Sequence, residues 1–421
     1  MSVSLVDWAR GANVYEVNIR QYTPEGTFHA FSQHLPRLRD MGVKIIWLMP
    51  ITPISREKRL ETLGSYYACS SYVQVNEEFG SLNDFKKLVE QVHALGMYLI
   101  IDWVANHTGW DHQWTKENPA WYVKDEKGNF TEKNGWTDVI DLDYSNRSLR
   151  LAMINAMAFW VREVGIDGFR CDMAHLVPLD FWVEARRHCD AIKPLYWLAE
   201  CEQNDYYQVF NTIYAWHWMH VTEKFSRGEQ PLSVVRKVLM EYEENIPSNS
   251  TRLFFTSNHD ENSWNGTEYE KYGTTAKAWA VFTCTWPGMP LIYSGQENAN
   301  SQRLAFFKKD QLNWQPQPVL HEFYQRLLDW RKRNPTLTEG KCTLLSTEAD
   351  HQLLVYKLQK DKQQVFVLLN VSHQGRATVT IEDDELIGQY RQLFSAMIYQ
   401  FNRREKFELM EGEYLVYEKI E

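Results

Sequence analysis

Most of the chain alternates between two hydrophobic rhythms. Val14-Tyr15-Glu16-Val17-Asn18-Ile19 reads as a strand, and apolar positions at helical spacing follow over Phe31–Met41 until Gly42. Val43 to Met49 is a nearly unbroken apolar run closed by Pro50, the pattern of a strand buried on both faces. A long loop, 51–80, leads to a helix at Asp84–Leu95. There Phe85, Leu88, Val89, Val92 and Leu95 share one face, and Gly96 ends the pattern. Tyr98–Asp102 is the next strand. The same alternation returns later, with a helix at 149–164 and strands at 166–171 and Leu195–Ala199. A weaker strand at Asn211–Ala215 comes next, then Leu253–Thr256 and Met289–Tyr293, and a last helix at 320–333 ends before Pro335. Strand and helix in turn predict a parallel sheet, and this many repeats predict a closed barrel.

The rhythm breaks twice. Between His107 and Asp141 the chain is polar and aromatic, too long for an ordinary barrel connection, so it predicts a small inserted domain after the third strand. Beyond Pro335 the pattern becomes that of hairpins. Leu353–Leu358 and Val365–Leu369 flank a turn at Lys360-Asp361-Lys362, and Ala377–Ile381 and Tyr414–Lys419 follow in the same style. The predicted fold class is therefore α/β. A (β/α)8 barrel occupies 1–107 and 141–338, the inserted domain 108–140, and a C-terminal all-β sandwich 339–421.

Composition narrows the function. The net charge of −10 and the lack of any basic run argue against nucleic acid as a partner. No apolar stretch approaches the ~20 residues of a membrane span. Met1–Arg10 has no apolar signal core, which leads us to expect a cytoplasmic protein. The six cysteines, at 69, 171, 189, 201, 284 and 342, show no metal-binding spacing and are expected to be buried free thiols. Tryptophan is abundant, with 17 residues. Most must pack in the core, but flat aromatic faces also suit the C–H faces of sugar rings.

The candidate chemistry lies at strand ends: Asp102 with Asn106 and His107, Arg170 with Asp172, Glu200, and His259 with Asp260. Residues two apart in a strand face the same side, so Arg170 and Asp172 point together. An arginine beside a carboxylate keeps it ionised, as a nucleophile requires, although a structural ion pair would look the same. Asp172, Glu200 and Asp260 come from different strands and converge on one barrel face. Two carboxylates flanking a glycosidic bond are the minimum for glycoside hydrolysis.

These segments resemble the α-amylase family, glycoside hydrolase family 13. Asp102–His107, Gly168–Asp172, Glu200 after Trp197-Leu198-Ala199, and Phe255–Asp260 are similar to its four motif regions, and Ile140–Asp143 to a short extra one. The resemblance implies Asp172 as nucleophile, Glu200 as general acid/base and Asp260 as stabiliser. It implies Arg170, Tyr67, Asp102, His107 and His259 around the bound sugar. No cofactor is needed for this chemistry. The resemblance also implies a structural calcium held by Asn106, Asp141 and the carbonyl of Leu176. The chain departs from the family where a Lys-His pair commonly follows the nucleophile; here His175 and Leu176 stand there. The expected substrate is an α-glucan or malto-oligosaccharide cut at internal α-1,4 bonds, with Trp110, Trp114, Trp121 and Trp136 near the cleft. Exo action, cyclodextrin opening, glycosyl transfer and an inactive sugar-binding protein are the alternatives.

Overall fold

Eight short strands close on themselves. They are β1 (Val14–Val17), β2 (Ile45–Leu48), β3 (Tyr98–Trp103), β4 (Gly168–Cys171), β5 (Tyr196–Ala199), β6 (Thr212–Tyr214), β7 (Thr251–Phe254) and β8 (Met289–Tyr293). Every neighbouring pair is parallel, and β1 joins both β2 and β8 to complete the ring. This is the (β/α)8 barrel that the alternation implies. The computed structural model describes residue 3 and residues 5–420. Met1, Ser2, Ser4 and Glu421, and with them the two ends of the expected domain ranges, lie outside the described residues. Among the described residues, no helix is long and apolar enough to cross a membrane.

Local chemistry sets the element boundaries. The helix expected over Phe31–Met41 is two pieces, Phe28–Ser32 and Leu35–Met41, because Pro36 lacks the N–H needed to continue the first into the second. Ser81 caps the helix Leu82–Ala94 in a reciprocal box with Asp84. The helix before β4, Arg147–Phe159, widens into a π-turn at Trp160–Val164 and ends at Gly165 with φ of +80°. At the start of β4, a Cβ on Gly168 would lie 1.9 Å from the Tyr196 carbonyl oxygen, so only glycine lets β4 approach β5. That contact sets the spacing of the two strands carrying Asp172 and Glu200.

The segment between β3 and the helix at Arg147 folds as a small excursion. Its first strand, His107–Gly109, pairs antiparallel with Val139–Asp141. Trp114 packs on Tyr72, His112 and Trp121, and Trp121 donates its Nε1–H to Ser148, so these two tryptophans belong to the packing of this excursion.

Beyond the barrel a six-stranded sheet is built from Lys341–Leu344, Leu353–Lys360, Gln363–Asn370, Tyr414–Lys419, Gly388–Gln392 and Ile398–Phe401, in that spatial order. A two-stranded sheet, Ala377–Glu382 with Arg404–Leu409, covers one face. Leu353, Val355, Phe366 and Leu368 pack toward that cover, whereas Leu354, Tyr356, Val365 and Val367 join the barrel's own core. The central strands are thus buried on both faces, which is why they run apolar rather than alternate. Five cysteines are buried and Cys342 is half-buried, and all are free thiols.

Candidate active site

The carboxyl ends of the strands deliver polar side chains to one place. Cys171 of β4 lies in register with Ala199 of β5, so Asp172 and Glu200 follow as the next pair on adjacent strands. Neighbouring strands run ~4.8 Å apart. Arg170, fully buried, joins them. Its Nη1 donates to Asp172 Oδ1 at 2.9 Å and to both oxygens of Asp102 at 2.9 and 3.1 Å. Its Nη2 lies 2.9 Å from Glu200 Oε2 but off the N–H direction, an ion pair without an aligned hydrogen bond. Its Nε donates to the Tyr214 hydroxyl. Glu200 also accepts the backbone N–H of Met173, at 3.0 Å, and Met173 takes the left-handed φ of +40° to present it.

His259 sits opposite. Its Nδ1 bonds to Glu16 of β1, and its Nε2 lies 2.7 Å from the Tyr67 hydroxyl and 3.3 Å from Asp260 Oδ2. Tyr67 donates to Asp102 Oδ2 at 3.1 Å, so its oxygen is left to accept from His259 Nε2–H. Both ring nitrogens then carry protons. Burial works against that charge, but Asp260 and Glu16 outweigh it and push His259 up to about 9. His107 is the converse: burial holds it at about 4, so it is neutral, with its ring edge-on to Trp136.

Five carboxyls, Glu16, Asp102, Asp172, Glu200 and Asp260, share this space with the cations Arg170 and His259. Burial raises the pKa of every one of the five, and Asp102 reaches about 7. Each negative charge in the group opposes the next, so the five titrate as a coupled set rather than singly. Arg170 favours ionised Asp172 most directly, through an aligned bond that Glu200 lacks. Asp260 is the most open of the set, with its side chain 38% exposed into the cleft.

A cavity of about 340 Å³ is lined by Asp172, Glu200, Asp260, Tyr67, His107 and Trp136, together with Trp264, Phe306 and Phe307. A second depression shares Met173, Glu200 and Asp260 with it, and continues past them to Glu202, Trp216 and His220. The cleft therefore runs through the carboxylates rather than ending at them. A larger depression near Arg20 and Asp111 contains none of these groups.

Residues 10–120 and 115–233 match the family described as alpha amylase, catalytic domain. The chain belongs to the α-amylase family. It is a glycoside hydrolase of that family. Its sequence is 26% identical to alpha-amylase MalA of Haloarcula japonica, over 91% of this chain and 59% of the relative. The solved structure of the noncanonic maltogenic alpha-amylase AmyB from Thermotoga neapolitana superposes with a TM-score of 0.91 at 30% identity, covering 98% of this chain and 99% of that one. An alpha-amylase from Lactobacillus plantarum gives 0.89 at 27% identity, covering 98% and 100%.

Within this member of the α-amylase family, the residues expected around the sugar divide into two layers. Tyr67 and His107 line the cavity with the three carboxylates; His259 stacks beneath Tyr67. The side chains of Asp102 and Arg170 have no exposed surface and hold the others in place. Of the four tryptophans expected near the cleft, Trp136 lines the cavity, and Trp110 lies under the Lys58 ammonium. Of the residues expected to hold calcium, Asp141 accepts from Asn106 Nδ2 at 3.4 Å and from the Lys133 backbone N–H at 3.1 Å. Each of its oxygens accepts one N–H and keeps a further lone pair, so these bonds neither require nor exclude a calcium ion, which takes 6–8 oxygens. Leu176 lies in a short 3-10 turn after Met173. Sequence reading missed Glu16, Trp264, Phe306 and Phe307. Glu16 is a lone acid inside an apolar strand, and that mismatch was its only signal.

Proposed function

We propose that the protein is a retaining α-glucan hydrolase that cuts internal α-1,4 bonds of malto-oligosaccharides and starch. The observation that carries this is the shared guanidinium: Arg170 reaches Asp172 with an aligned bond and Glu200 without one, across adjacent strands. A retaining mechanism needs one ionised and one protonated carboxyl roughly 5 Å apart. In this reading Asp172 attacks the anomeric carbon while Glu200 gives its proton to the departing oxygen. Glu200 then takes a proton from water, which opens the covalent intermediate. Asp260 holds the sugar hydroxyls, Tyr67 stacks on the ring, and the His259 imidazolium, whose two N–H groups go to Glu16 and the Tyr67 oxygen, holds Tyr67 in place. Neutral His107 adds a hydrogen bond without adding charge.

The continuous cleft supports internal cleavage, because a glucan can thread past the carboxylates. A maltose-releasing mode is the second reading, favoured by the resemblance to the maltogenic Thermotoga enzyme. A time course of products from soluble starch, maltoheptaose and γ-cyclodextrin tests both. Mixed short maltodextrins from starch are expected. Maltose as the only early product, with end-blocked maltoheptaose left uncut, would overturn internal cleavage.

A further inference from the structure

Trp264 is the one exposed tryptophan among the described residues, 53% open to solvent, in a chain that buries or half-buries the other sixteen. It lies four residues after Asp260, in the π-turn Glu261–Asn265. Nothing about that turn is loose. Asn262 Nδ2 donates to the Gln302 carbonyl at 3.1 Å, Asn262 Oδ1 accepts the Leu304 N–H at 2.9 Å, and Ser263 Oγ donates to the Leu304 carbonyl at 2.9 Å. Arg303 pairs with both oxygens of Glu270 just beyond. These bonds clamp the turn to the segment that bears Phe306 and Phe307. Their rings support the indole at 5.5 and 5.7 Å between centroids, and Phe306 is nearly parallel to Tyr67 at 6.3 Å.

An exposed indole forfeits the burial that most tryptophans obtain, and here a bonded scaffold keeps it exposed. The cavity also tells which side it serves. In a double-displacement mechanism the attacked sugar lies with the nucleophile and the leaving group lies beyond the acid. The turn borders both depressions: its ends, Glu261 and Asn265, line the one beyond Glu200 with Trp216 and His220, which lacks Asp172, whereas Trp264 itself lines only the cavity that holds Asp172 and Tyr67. Trp264 therefore stands on the donor side, next to the unit that Tyr67 would cover.

We propose that Trp264, propped by Phe306 and Phe307, is a rigid stacking platform for the second glucose unit on the donor side, so that the enzyme selects donors of two or more units. This rests on the glucan-hydrolase reading above. The test holds the leaving group constant and varies the donor: nitrophenol release from 4-nitrophenyl α-glucoside against 4-nitrophenyl α-maltoside. In wild type the specificity constant is expected to favour the maltoside. In Trp264→Ala that preference is expected to fall about tenfold, with release from the glucoside changed less than about twofold. Trp264→Phe keeps a flat ring and should restore most of the preference. Equal losses on both glycosides, or an unchanged preference in Trp264→Ala, overturn the platform while leaving the hydrolase reading intact. A wild type that releases nitrophenol from neither glycoside but still cuts soluble starch overturns selection at the second unit and leaves the hydrolase reading intact, whereas inactivity on starch as well overturns both.

Discussion

Arg170 binds more acids than any single charge can neutralise, so the identity of the protonated carboxyl decides the chemistry. Asp172→Asn removes the attacking oxygen and Glu200→Gln the transferable proton. Each is expected to lower kcat by several orders of magnitude while malto-oligosaccharide binding persists by calorimetry. NMR of early wild-type products should show the α anomer, since two inversions retain configuration. Glu16 offers a gentler probe. Replacing it with Gln removes one of the two anions that hold the His259 proton, so His259 should deprotonate at lower pH. The alkaline limb of kcat/KM should move down by about one unit, with binding of neutral sugar largely kept below it. The sign extends to stability. A histidine raised to about 9 contributes fully below its ordinary pKa of ~6.5, and the contribution fades as pH rises through the raised value. At this scale Asp172, Glu200 and Asp260 were legible because each sits in a distinctive short segment. Trp264 and Phe306 were not, because their meeting depends on side-chain bonds between segments some forty residues apart.

Among elements, barrel strands such as Ile45–Leu48 and Met289–Tyr293 were easy to read because burial on both faces makes them apolar runs, whereas Thr212–Tyr214 is short and gave a weaker signal. The hairpin domain was harder. Gly388–Gln392, Ile398–Phe401 and Arg404–Leu409 carry mixed or exposed side chains, and no hydrophobic rhythm marks them. The excursion after β3 is closed at its base by the pairing of His107–Gly109 with Val139–Asp141 and by the Asn106–Asp141 contact. If those bonds suffice, excess chelator should leave the melting temperature unchanged and elemental analysis should find no calcium. A drop on chelation that calcium reverses would mean that Asn106 and Asp141 turn their oxygens to a metal instead.

Over the whole molecule, the hairpin domain shares the barrel's core. Tyr356 is fully buried, its ring 5.1 Å from Trp286 and its hydroxyl 2.5 Å from Thr285 Oγ1. Tyr356→Ala should cost about 3 kcal/mol, and calorimetry should still show one transition at a lower Tm, because neither part keeps a complete core alone. The crowd of acids around Arg170 reaches further. Set within a chain of net charge −10, these acids should, on the glucan-hydrolase reading, make the cleft discriminate between neutral and anionic substrates. Neutral glucose units enter it freely, while a phosphate ester on the glucan meets repulsion at the cut site. Digestion of phosphorylated maltodextrin should therefore leave limit fragments in which the ester-bearing unit is never the one attacked, a signature that mass spectrometry would read directly.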